Sequence, residues 1–241
     1  MPYWLVFQCS SCHWEYHELL HKTGYQIYLT KFMLKMRTRK ETEFYIKADA
    51  IMNKVAWHRS WFGRIFYPSK LRQYMITLRK LEFYATPPYK KSPFWYFAYL
   101  FYKIRYDRLG YKLGFEIPLY TLGYGCRIPH HGSIVLNGAT KIGNYCCLMN
   151  LTTFADGDFK EVGNNVYIAT NVVVAHRVRI SDGCKISACS FVNKSFDTKN
   201  MLIGGVPAKT LKACEPWTEE CKEDVELCEN LRIKMGLEYL I

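Results

Sequence analysis

The stretch EVGNNVYIATNVVV, residues 161–174, decides the fold of this chain. Val162, Ile168 and Val174 fall six apart within it. An amphipathic helix repeats its apolar positions about every 3.6 residues and a strand about every 2, so neither sets this interval. A parallel β-helix does: each short strand and its turn make one side of a coil, and three sides close it.

Outward from this stretch the interval continues. Ile180, Ile186 and Val192 follow it, and two earlier sets precede it: Leu122, Ile128 and Ile134, then Ile142, Leu148 and Phe154. The phase breaks by two residues after Ile134 and again after Phe154. The next residue is often small (Gly123, Gly143, Ala155, Gly163, Ala169, Ala175, Ser181, Ser187), which lets the corners close. Four positions after a repeat residue stand Cys126, Gly132, Cys146, Thr152, Val166, Val172, Val178 and Cys184. These small or β-branched side chains suit a narrow inward slot, so the three cysteines read as buried thiols.

The 241 residues are 49% apolar, enough for one large domain or two modest ones. No run approaches the ~20 apolar residues that cross a bilayer. The first residues, MPYWLVFQCSSCHW, lack a basic start and a full apolar segment, so no signal peptide is read. A cytoplasmic protein with ten reduced cysteines is the expectation. Cys9 to His13 matches a haem-attachment pattern in letters, but that chemistry belongs to exported proteins.

Charge divides the chain. Residues 1–112 carry 20 Lys and Arg against 7 Asp and Glu, whereas residues 113–241 are near neutral. Such an excess suits a solvated helical surface or peripheral contact with an anionic membrane, and no nucleic-acid partner is expected. Residues 1–112 form a basic, aromatic helical region in which 1–40 read poorly. Ser69 is a candidate N-cap, with Leu71, Tyr74, Leu78 and Leu81 on one face. Pro87 and Pro88 stop that helix, and a second runs from Ser92-Pro93 to Gly110. Its aromatic residues go nearly all the way round, which predicts packing on every side. Residues 113–212 are the β-helix. Residues 213–241 form an acidic helical tail, with Cys214, Cys221, Val225 and Cys228 as an apolar seam expected to add a helix contact between subunits.

Five segments carry a family resemblance: GFEIP (114–118), IPHHGSIV (128–135), KIGNYC (141–146), EVGNNVYIATNVVV (161–174) and IGGVPAK (203–209). In this order they resemble the hexapeptide-repeat acyltransferases, specifically the serine acetyltransferase branch. The resemblance covers about residues 42–212. It implies a left-handed β-helix, a homotrimer with sites between subunits, and acetyl-CoA as co-substrate. No metal is expected.

Transfer of acetyl from a thioester to a hydroxyl needs a base, a group that orients it, and donors for the oxyanion. Imidazole suits the first role because it titrates near neutrality. By resemblance the catalytic His lies four residues before a repeat Ile, which makes it His130, before Ile134. His131 has no counterpart role. Glu116, in GFEIP, stands where the family has a carboxylate that orients the base. The pantetheine arm of the donor would lie along Ala169, Ser187, Gly204 and Gly205, where small residues let it approach backbone groups. Lys209 would meet a coenzyme A phosphate. The family's second His, which holds serine, is missing from ADGDFKEVG (155–163). The acceptor hydroxyl is therefore that of serine or of a sugar in a surface polysaccharide precursor.

Two other classes use this fold. A zinc carbonic anhydrase needs three His ligands, but His130 and His176 fall on different sides of the coil, two coils apart. A non-catalytic scaffold would have no use for His130 or the IGGVPAK ending. No Ser or Cys stands at a recognisable nucleophile position beside a base, so direct transfer is expected over an acyl-enzyme.

Overall fold

The computed structural model describes residues 37–54, 69–86, 93–155 and 157–240. The CSSCH segment, Ser92, and Pro87-Pro88 lie outside these residues. Helix α1 spans Arg39–Met52. It starts at a capping box: Thr38 Oγ1 accepts from the Glu41 amide, and the Glu41 carboxylate accepts from the Thr38 amide. Helix α2 spans Lys70–Ala85 and is capped by Ser69, whose hydroxyl accepts from the Arg72 amide. Helix α3 spans Pro93–Leu113.

The β-helix follows. Its strands are β1 (Phe115–Glu116), β2 (Ile134–Val135), β3 (Thr140–Ile142), β4 (Cys147–Leu148), β5 (Thr152–Phe154) and β6 (Lys160–Val162). Then come β7 (Tyr167–Ile168), β8 (Val173–Val174), β9 (Val178–Ile180), β10 (Lys185–Ile186), β11 (Phe191–Val192), β12 (Met201–Gly205) and β13 (Ala208–Ala213). They stack in three sheets, β1-β2-β5-β8-β11, β4-β7-β10-β12-β13 and β3-β6-β9, parallel except where β13 folds back on β12. The repeat residues point inward, and Ile128, Leu148, Ile168, Val174, Val192 and Ile203 have no exposed surface. Cys126, Cys146 and Cys184 fill the inward slots, also fully buried.

The strand register corrects the phase of the first coil. Arg127, Cys147, Tyr167 and Lys185 stack in one sheet. Val135, Thr153, Val173 and Phe191 stack in the next. Eight steps separate Arg127 from Val135, but six separate each later pair. The two extra residues therefore precede Ile134 instead of following it. Leu136 is the repeat residue, level with Phe154, and Ile134 takes the inward slot level with Thr152 in place of Gly132. Both are buried, because residues i and i+2 of a strand face the same way, so alternation cannot distinguish them. The second break, after Phe154, stands where it was read: Thr153 to Lys160 is two residues longer than Val135 to Thr140.

The helices roof the first coil. Arg79 on α2 is fully buried and bridges Asp49 on α1 (2.8 Å) and Glu82 (3.3 Å). It also donates to the carbonyls of Leu122 (3.0 Å) and Gly123 (2.6 Å), which the first coil leaves open. Arg37 completes the network against Glu82 (2.6 Å). A buried charge is tolerable only when paired and hydrogen-bonded in this way.

Two expectations fail. Helix α3 runs through Gly110 to Leu113, and only Leu109, Gly110 and Leu113 are buried in it. Trp95, Tyr102 and Tyr106 lie against α2, but Phe94, Phe97, Phe101 and Ile104 are exposed. One neighbouring helix covers one face, and aromatic content did not bring a second. The tail helix α4 (Lys222–Lys234) follows a 3-10 turn at Trp217–Cys221, and Cys214 lies before both. Cys221 and Cys228 are buried with Phe44, Ala48 and Tyr124 of the same chain. The seam packs on α1, so it is not free for a partner helix.

Candidate active site

The two extra residues of the first coil are His130 and His131. The later turns at this corner are tight: the Thr170 hydroxyl donates to the side-chain oxygen (2.8 Å) and the carbonyl (3.0 Å) of Asn150. Gly132 sits on Asn150, where a Cβ would come within 3.1 Å of the Asn150 Cβ, and its φ of +125° also favours glycine. Its amide donates to the Leu113 carbonyl (3.0 Å). Fixed at Gly132, the longer loop has to bulge, and both imidazoles are exposed on it.

Three of the residues expected to line the donor site stack directly. Ala169 follows β7, Ser187 follows β10 and Gly204 lies in β12, neighbouring strands of one sheet. The Ala169 amide donates to the Ile186 carbonyl (3.1 Å) and the Ser187 amide to that of Ile203 (2.8 Å). Gly204 is tightly packed on the column, since a Cβ there would lie 3.0 Å from Ser187 Oγ and 3.1 Å from Leu211 Cδ1. The Gly205 amide donates to Ser190 Oγ (3.2 Å), and Lys209 on β13 faces Gly204. Downward, the column continues through Met149 to Pro129, by the register of Cys147 with Arg127. Sequence reading missed these two because the column appears only once the coils are in register. Four coil steps at ~4.8 Å put Gly204 roughly 19 Å from Pro129. The column thus ends at the residue before His130.

Glu116 is not brought to His130. It is exposed on β1, in register with Val135, and no hydrogen bond or ion pair joins it to the imidazole. His176 lies at another corner, where its Cβ is 3.6 Å from the position of a Cβ on Gly157. Among the described residues no group of three His, Cys, Asp or Glu is placed to hold a metal ion. Burial pushes the Cys146 and Cys147 thiols up to about 12, far from a reactive thiolate.

Residues 160–194 match the family model for the bacterial transferase hexapeptide (six repeats). No curated protein matches the chain in sequence. Among solved structures it is similar to the serine acetyltransferase of Brucella abortus strain S19, at 17% identity over 80% of this chain and 74% of that one, TM-score 0.55. That protein has also been solved with coenzyme A. The Neisseria gonorrhoeae serine acetyltransferase aligns at 18% identity over 83% and 73% of the two chains, TM-score 0.53, and has been solved with serine. The soybean apoenzyme aligns at 15% over 77% and 89%, TM-score 0.54. The chain thus carries the transferase hexapeptide repeat in a left-handed parallel β-helix and has the fold of the serine acetyltransferases.

Proposed function

We propose that this protein is an acetyl-CoA-dependent O-acetyltransferase in which His130 is the general base. One observation carries the reading: the column through Gly204, Ser187 and Ala169, continued by Met149 and Pro129, ends beside the bulge that presents His130. An extended pantetheine arm laid along that column would bring its thioester to the imidazole. Lys209, opposite Gly204, would then face the nucleotide end of the donor.

The chemistry is a direct transfer. His130 takes the hydroxyl proton as the acceptor oxygen attacks the thioester carbonyl. The tetrahedral intermediate collapses, the carbon–sulfur bond breaks, and the imidazolium returns the proton to the departing thiolate. No protein thiol is needed, in keeping with the raised buried cysteines. Glu116 makes no hydrogen bond or ion pair with the base within its own chain. In a homotrimer, which is part of this proposal, a neighbouring subunit would complete the surroundings of His130.

The test is turnover of acetyl-CoA, followed as thiol release. His130→Ala should lower kcat by ~10²–10⁴ while coenzyme A still binds by calorimetry. Near-normal turnover in that variant would remove His130 from the chemistry. His131→Ala should cost much less.

A further inference from the structure

Two adjoining cavities flank the His130 bulge. The first, of about 300 Å³, lies between α1, α2 and the first coil, with Asp49, Asn53, Arg72 and Arg127 in its wall. The second, of about 500 Å³, is lined by Lys70, Lys112 and His131. Pro129 lines both, so the residues on either side of His130 form part of their walls.

The polar groups there are unequally committed. Asp49 is held by Arg79 (2.8 Å) and accepts from the Cys126 amide (3.2 Å). The Asn53 amide nitrogen donates to the carbonyls of Asp49 and Cys126, and its oxygen accepts from the Ile128 amide. Among the described residues, the only carboxylate and the only carboxamide of the first wall are therefore spent on structure. The cations are not. Lys70, Arg72, Lys112 and Arg127 have no carboxylate partner among the described residues. Arg127 rests over the Trp217 ring (5.8 Å), and Arg72 Nε is buried with no acceptor. Helix α2 also begins here, at Ser69, with no acidic residue in its first turn, so its amide dipoles add to the positive field.

We infer that these cavities bind an anionic oxygen group, a phosphate ester or a carboxylate, carried by the acceptor whose hydroxyl His130 deprotonates. The inference rests on the acetyl-transfer reading and narrows its acceptor. Lys70, Arg72 and Lys112, whose charges meet no carboxylate among the described residues, favour phosphate, since guanidinium and ammonium groups both bind it strongly. The same wall has no uncommitted carboxylate for an ammonium group. L-Serine would find a place for its acid but none for its amine. An anionic sugar, such as a phosphorylated one, meets the donors without that penalty.

Acetyl-CoA turnover would be measured with glucose 1-phosphate, gluconate, glucose and L-serine at equal concentration. The expected result is a kcat/KM at least tenfold higher for an anionic sugar than for glucose or serine, with the two acids separating phosphate from carboxylate. Arg72→Gln and the solvent-exposed Lys112→Gln should each raise KM for that acceptor about tenfold, with a smaller effect on kcat. Binding of glucose 1-phosphate alone, by calorimetry on wild type and His130→Ala, is read separately. Binding without transfer to any acceptor would sink the acetyl-transfer reading and leave the anion site. Efficient acetylation of glucose or serine with no phosphate or carboxylate binding would overturn the anion site and leave the transferase. Failure of both binding and transfer would end both.

Discussion

A methyl group at position 143 has no room. A Cβ built on Gly143 lies 2.5 Å from the Gly163 carbonyl oxygen, and one on Gly123 meets Gly143 at the same distance. Each corner rests on the backbone of the next, so relief at one would shift its neighbour. Gly143→Ala should therefore cost about 1–3 kcal/mol, as overpacking does, read as a lower urea midpoint. Gly138, with nothing within 4 Å of its Cβ, is the control, and Gly138→Ala should leave the midpoint near wild type or above it. The need for small residues after each repeat position was legible in the sequence, since closing a corner is a local demand. His130 was singled out by resemblance, from Ile134 four residues later, although the register makes Leu136 the repeat residue. That the two histidines are themselves the extra residues was not legible, because Ile134 and Leu136 both face inward and either satisfies the pattern. The cations around the bulge were also beyond reach: Lys70, Lys112 and Arg127 are far apart in sequence and meet only when α2, α3 and the first coil pack together.

Among the elements, α2 joins α1 to the first coil. Its Arg79 ties α1, α2 and the open carbonyls of the first coil at one buried point. Arg79→Ala would leave Asp49 buried without its cation and Glu82 with Arg37 alone, and breaking a buried pair typically costs about 3–5 kcal/mol. Calorimetric melting should show a fall of many degrees, and the double variant with Asp49→Ala should lose less than the sum of the two single changes. The helix itself could be read from Leu71, Tyr74, Leu78 and Leu81. The arginine within its buried face gave a signal that went unread: with Glu82 it places two charges on positions otherwise apolar. Helix α3 shows the opposite limit. Its start at Pro93 was legible but Gly110 did not stop it, and the face it buries depends on α2 lying on one side with no other described helix opposite. The cysteine seam of the tail was likewise recognised as apolar, and its partner, α1, lies far away in sequence.

For the whole molecule, the proposal requires assembly, and the corrected seam narrows how. Cys221 and Cys228 are used inside the subunit, so the tail seam does not supply the contacts between subunits. Light scattering in reductant should give three times the 28.4 kDa chain mass, and chemical reduction should not change it. A fully active monomer would mean that His130 finds all its partners in its own chain. The stack also raises a question of length. Parallel strands piled one on another have no built-in last member, and the open N–H and C=O groups of a terminal coil would template another copy. Here both ends are stopped by something unlike the middle. At the start, a guanidinium on a helix occupies the carbonyls of Leu122 and Gly123. At the finish, β13 runs antiparallel along β12 and breaks the direction in which a new coil would join. The protein is finite because its ends are capped, and a chain that lost either cap would be a seed for filament growth.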